Sequence, residues 1–311
     1  MCPVRKASVA GGFYPRTKPD LKAAIDQAFA DSKFGPGAPL QVGKKLPGTP
    51  RKVIGGVTPH AGYTYSGSCA AITLQEICKE GLPDTVIILG NVHTGYSQIS
   101  VFQEGEWETP FGSQPIDRDV ATKIVEECPS VVADDKAFLG TYHVREHNIE
   151  VQIPFLQYAA LIANRPIKIV PIAVGVMEIS KIEQFGKELA KVVKEMSQIK
   201  DLAVLASSDM THHEPRNPMH PSEDIKWQHQ KDEAVMDAFV ELDWRKTFNR
   251  ARDTTVCGPQ TITSLMVLAH TLGYQKAQKL KYYTSYDKMG GQGPCEYSVG
   301  YFSGVLRTQA E

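Results

Sequence analysis

The chain has 311 residues, 42% hydrophobic and 22% charged, with a formal net charge of −1 at pH 7. That length suits one large domain or two small ones, and with no basic excess or basic stripe nothing favours a nucleic-acid partner. The start, Met1-Cys2-Pro3-Val4-Arg5-Lys6, lacks the apolar core of a secretory signal, and the longest apolar stretch, 167–176, is broken by Lys168 and Pro171 and is too short to cross a bilayer.

In chain order, Thr17 as a cap, Asp20 three residues later, and Leu21, Ala24, Ile25, Ala28 and Phe29 at helical spacing predict a first helix. Residues 34–50 are rich in Gly and Pro and predict a flexible surface loop. The flanking pairs Lys44-Lys45 and Arg51-Lys52 read as solvated charge. Apolar runs predict strands at 53–57, 85–89, 167–174 and 202–206. Helices are predicted at 66–80, 117–128, 146–163 (despite Pro154), 179–196, 222–241 and 259–272, and closing strands at 279–284 and 297–306. Strands alternating with helices imply a single α/β domain over 1–311. It would have three layers, with a mostly parallel or mixed central sheet covered by helices on both faces. The six cysteines (Cys2, Cys69, Cys78, Cys128, Cys257, Cys295) form no CxxC pair. Most are expected to be small core residues in a reducing, cytoplasmic setting.

In open α/β sheets, ligands sit beyond the carboxyl ends of the strands. Three polar clusters fall there: Pro59-His60, Asn91-Val92-His93, and Ser207 through His213. A single loop histidine is more often a hydrogen-bonded structural residue than a ligand. Two histidines after two successive core strands are harder to set aside, since imidazole suits Zn, Cu and Fe. Asp209 and His212 can be read as metal ligands or as an acid/base pair, and equally as a turn cap and a surface residue. His147 and Glu150, in the polar stretch 142–150, would share a helix face and either line a site or decorate a helix start. Cys257 opens a helix, where a thiolate is favoured, although a lone cysteine is usually packing. Gly290-Gly291-Gln292-Gly293 lacks the residues of a phosphate loop.

The segments Ala7–Tyr14, Pro59–Gly67, Leu89-Gly90 with His93-Thr94-Gly95, Gly105–Pro110, Glu146–Gln152, Ser207–His212 and Cys257-Gly258 resemble the Memo family, which is similar in fold to class III extradiol ring-cleaving dioxygenases. The resemblance implies metal-binding positions at His60, His93 and Cys257, pocket positions at Asp209 and His212, with His212 as acid/base, and wall residues at Tyr65 and Phe13. Ring-cleaving relatives hold Fe(II) with two His and a carboxylate, whereas a thiolate third ligand is softer and oxidisable. The resemblance therefore implies an Fe(II)- or Cu-dependent oxidoreductase rather than a plain catechol dioxygenase. Two alternatives stand beside it. One is a non-catalytic metal-handling or peptide-binding adaptor on the same scaffold. The other is a Zn-dependent hydrolase using a metal-bound water. A small molecule or peptide is the expected pocket ligand, no membrane partner is expected, and a homo-oligomer is compatible with all three.

Overall fold

Four runs of aliphatic residues are buried along their whole length and form the middle of a sheet. A computed structural model describes residues 3–46 and 48–309. Along the chain lie β1 (Val4–Arg5), α1 (Lys18–Ala30), β2 (Val53–Thr58), α2 (Tyr63–Cys78), β3 (Thr85–Asn91), β4 (Ile99–Val101), β5 (Glu106–Thr109), β6 (Gly112–Pro115), α3 (Arg118–Glu127), β7 (Val131–Ala133), α4 (Ile153–Ala163), β8 (Lys168–Val174), α5 (Ile179–Met196), β9 (Leu202–Ser207), β10 (His212–His213), α6 (Ser222–Val240), α7 (Trp244–Arg252), α8 (Pro259–Thr271), β11 (Lys276–Thr284), α9 (Ser285–Lys288) and β12 (Ser298–Arg307).

The large sheet runs β10-β12-β2-β9-β3-β8-β4-β7, with β11 also paired to β12. Strands β2, β9, β3 and β8 are parallel to their neighbours in that group. Strand β12 is antiparallel to β2, and β4 to β8, so the sheet is mixed. A small sheet, β1-β5-β6, lies apart from it.

Two adjacent glycines show that helices cover both faces. A Cβ on Gly55 would meet Leu265 of α8, and one on Gly56 would meet Thr73 of α2. Successive residues of a strand point to opposite faces, so α8 and α2 lie on opposite sides. The same glycines let both helices approach closely. Thr17 caps α1 as expected, its hydroxyl accepting from the Asp20 N–H at 3.4 Å. Cys69, Cys78, Cys128 and Cys295 are buried. Cys2 lies outside the described residues. No described helix is long and apolar enough to cross a membrane.

Three expectations change. The predicted helix over 146–163 begins only at Ile153, after a 3-10 turn at Glu150–Gln152. Pro154 then sits in the first helical turn, where its missing N–H costs nothing. Residues 146–149 are consequently not helical, and His147 and Glu150 share no helix face. Arg51 is not solvated. Its buried guanidinium pairs with Asp201 at 2.6 Å and donates to the Val53 carbonyl at 3.3 Å. Residues 34–50 hold no helix or strand among the described positions, but they are packed: Leu40 is buried and the Gly43 N–H donates to the Cys78 carbonyl at 2.9 Å.

Candidate metal centre

The parallel strands β2, β9 and β3 are neighbours, with Thr58, Ser207 and Gly90 level across the sheet. The next residues of each strand leave its carboxyl edge together. His60, Asp209 and His93 follow within three positions and line one cavity of about 890 Å³. His212, Cys257, His147, Phe13 and Tyr65 line the same cavity.

The ligating atoms of His60, His93 and His147 lie within 4.8 Å of one another. The His93 and His147 rings stack, with centroids 5.0 Å apart and planes 4° from parallel. Each ring has its Nδ1 engaged elsewhere. His93 Nδ1 is 2.9 Å from Glu146 Oε1, and the His93 backbone N–H donates to Oε2 at 2.9 Å. His147 Nδ1 donates to the Arg145 carbonyl at 3.0 Å. His60 Nδ1 is 3.1 Å from Ser207 Oγ. That hydroxyl gives its own proton to the Asn148 carbonyl at 2.8 Å, so its oxygen accepts from His60. All three Nε2 atoms are thereby left with free lone pairs, as in histidines whose other nitrogen is fixed by an outer partner. His60 Nε2 is buried and has no hydrogen-bond partner.

Charge is distributed unevenly. Burial pushes His60 well below the ordinary imidazole value of 6.5, and burial also lowers His147. Burial alone would lower His93 too, but the Glu146 hydrogen bond and charge raise it above 6.5 overall. Asp209 accepts the His60 backbone N–H at 2.7 Å. Burial still pushes its carboxyl up to about 7. Its Oδ2 is 4.0 Å from His60 Nε2. With His60 neutral, that contact is neither an ion pair nor a hydrogen bond.

Asp209 does not orient His212. His212 Nδ1 is 2.6 Å from the Tyr297 hydroxyl, and its backbone N–H donates to Thr255 Oγ1 at 2.8 Å. Its Nε2 lies 3.1 Å from Cys257 Sγ. Burial pushes the thiol well above its ordinary value and lowers His212 to about 4. A protonated thiol facing a neutral imidazole donates to Nε2, which leaves the Nδ1 proton for Tyr297. The ligating atoms of His60, His93 and His147 thus converge, while the Cys257 thiol, on the same cavity, faces His212 Nε2.

Glu150 turns away from the cavity. It pairs with the buried Arg5 at 2.6 Å and accepts from Ser8, Val9 and the Tyr14 hydroxyl. Arg5 also donates to the Glu146 carbonyl at 2.6 Å. This cluster ties the N-terminal segment to the 146–150 segment and sets Phe13 against His147, with ring centroids 4.3 Å apart. Glu146, Ser207 and Tyr297 are site residues that sequence reasoning did not single out. Glu146 had a signal, since a carboxylate beside His147 can serve a histidine, but it reads equally as a helix-start charge.

The 146–149 segment crosses directly over β3. A Cβ on Gly90 would stand 2.1 Å from Asn148 Oδ1 and 2.5 Å from Ile149. The Asn148 amide also donates to Glu146 Oε1 at 2.8 Å. Gly90→Ala is therefore expected to push this segment outward and to destabilise the fold by about 1–3 kcal/mol. Urea unfolding checks this; an unchanged midpoint would mean that the close approach is not required.

A family description for Memo-like protein matches residues 5–305. A MEMO1 family protein of Sulfurisphaera tokodaii is 36% identical over 303 residues, covering 96% of this chain and 98% of the relative. A MEMO1 family protein of Desulfurococcus amylolyticus is 38% identical over 304 residues, covering 96% of each. Among solved structures, an uncharacterized protein from Escherichia coli K12 aligns with a TM-score of 0.41 and 16% identity, over 70% of this chain and 86% of that one.

Proposed function

This chain belongs to the Memo family, and from that premise we propose that it is a metal-dependent oxidoreductase whose metal is held by His60, His93 and His147. The buried, unpartnered Nε2 of His60 carries the reading, because an imidazole nitrogen sealed from water and aimed at two others calls for a Lewis acid. Three neutral nitrogen donors suit iron, copper or zinc, and iron or copper is the choice that fits an oxidoreductase. Such a metal would supply Lewis acidity and one-electron chemistry at an open position. The chain's own residues have separate tasks. Glu146 fixes the His93 ring and strengthens its donor. Asp209, with its carboxyl at about 7, can hold or release a proton beside His60. The Cys257 thiol donates to His212 Nε2 at 3.1 Å and keeps that imidazole neutral and oriented.

The test is metal content by mass spectrometry on protein purified without oxygen, followed by an oxygen-consumption screen. Near-stoichiometric iron or copper is the expected result. Zinc alone, with hydrolytic turnover, would replace this reading with a hydrolase, and no metal uptake would leave a binding module.

Metal affinity is also expected to depend on pH in one direction. His60 and His147 are neutral near pH 6.5, but His93 carries a proton to a higher pH because of Glu146. Binding must displace that proton. Affinity should rise by about tenfold per pH unit below the His93 value and level off above it. A competition titration between pH 6 and 8 checks this, and a flat profile would contradict the raised His93 value.

A further inference from the structure

We infer that Asn148 is the positioning residue of the histidine floor: its side-chain amide sets the Glu146 carboxylate behind His93, and its main-chain carbonyl sets the Ser207 hydroxyl behind His60. The inference deepens the proposed function and rests on its three-histidine metal site.

The side chain carries one arm. Asn148 is fully buried, in the irregular segment that crosses β3. Its Nδ2 lies 2.8 Å from Glu146 Oε1, 2.5 Å from the Asn91 carbonyl and 3.1 Å from Asn91 Oδ1. All three neighbours are acceptors, so the amide turns its nitrogen toward them and its oxygen away. That oxygen is left buried with no partner, against Gly90. A residue serving only to fill space would not strand a polar oxygen there, since that costs stability and an aliphatic side chain would not. What the amide supplies is its two donors. Among the described residues, Asn148 and His93 are the only side chains that donate to the Glu146 carboxylate. The Asn148 bond holds Oε1, the oxygen that faces His93 Nδ1.

The main chain carries the other arm. The Ser207 hydroxyl accepts from Gln152 Nε2 at 3.0 Å and faces His60 Nδ1 at 3.1 Å. Its one proton goes to the Asn148 carbonyl at 2.8 Å. With that proton committed, Ser207 Oγ can only accept from His60, which keeps the imidazole proton on Nδ1 and the Nε2 lone pair toward the cavity. Turned the other way, the hydroxyl would donate to Nδ1 and put the imidazole proton on Nε2, the nitrogen a metal needs. Asn148 also follows His147 directly in the chain. One residue thus holds the outer partners of two ligands and is bonded to the third.

The experiment measures Co(II) affinity by chelator competition and the visible absorption of the Co(II) complex, with urea unfolding of the metal-free protein in parallel. Asn148→Ala is expected to weaken Co(II) binding by about tenfold or more and to shift the absorption bands. In a Glu146→Ala background, where no carboxylate remains to be positioned, the same change should cost about twofold or less. Ser207→Ala removes the hydroxyl and keeps Asn148. It should also weaken Co(II) binding by about tenfold, and it tests the second arm even where Asn148→Ala does not fold. Unchanged Co(II) affinity in either folded variant, or equal losses from Asn148→Ala in both backgrounds, would overturn the inference whatever the change in unfolding midpoint, and with normal wild-type uptake would leave the metal-centre reading standing. Wild-type protein that takes up no Co(II) would end that reading and this inference with it.

Discussion

His147→Ala is expected to strip the protein of its metal, with affinity falling well beyond the about 10–100-fold that loss of an outer partner costs. Cys257→Ser is expected to retain it. The contrast matters because the sequence resemblance implied the opposite ligand. His147 Nε2 has no other engagement once Nδ1 is held by the Arg145 carbonyl, and its ring already stacks on His93. The Cys257 thiol is protonated by burial and committed to His212. Glu146→Gln supplies the intermediate case, since it removes the charge behind His93 without removing a ligand. Its loss should lie in the 10–100-fold range, and the pH dependence of uptake should weaken with it. Mass spectrometry and a chelator competition on the three variants decide the matter. Loss of metal in Cys257→Ser but not in His147→Ala would restore the thiolate as third ligand.

Glu150→Ala is expected to cost the fold about 3–5 kcal/mol, because it strands the buried Arg5 guanidinium without its counter-charge. The carboxylate is held below its ordinary range. Burial alone would raise it, but Arg5, Ser8 and the Val9 N–H outweigh that effect. A depressed carboxyl contributes stability above the unfolded value of about 4.5 and loses it as pH falls through the folded value. The variant should therefore be less stable than wild type at pH 7, and the gap should narrow on acidification. Arg5→Met combined with Glu150→Leu should recover much of the loss. Denaturant unfolding at pH 7 and pH 4 measures all of this, and a loss under about 1 kcal/mol at pH 7 would sink the claim. Arg5 also holds the Glu146 carbonyl, so the single variant should weaken metal uptake as well.

What the sequence disclosed follows from which forces are local. Strands β2, β3, β8 and β9 are sandwiched between helices, so their apolar runs are continuous and short, which is a legible signal. Helix α5 was legible at both ends because its apolar face repeats over eighteen residues. The short strands β4 to β7 hold three or four residues each and carry no usable period. Helix α7 keeps a helical period, with Thr247, Phe248 and Ala251 buried, but it is only nine residues long and mostly polar, and was missed for that reason. At the site, His60, His93 and Asp209 were legible because strand ends predict where ligands go. The approach of His147 to His60 and His93 was not, because residues 146–149 take an irregular path set by Gly90 and by Arg5, which lies 141 residues away from the Glu146 carbonyl it holds. Nothing in the spacing of the chain encodes that contact.

Strand β12 completes the sheet beside β2, with Val57 opposite Gly304. Val299 and Tyr301 of that strand also line the cavity. During synthesis the three histidines are therefore made roughly 150 to 240 residues before the wall that encloses them, and a pairing so distant in sequence forms slowly. A nascent chain presents the histidine-bearing edge of the sheet while it is still open to the surrounding solution. Until β12 pairs with β2, the floor of the cavity is therefore a water-exposed sheet edge, and the enclosure that lowers His60 arises only with the last strand.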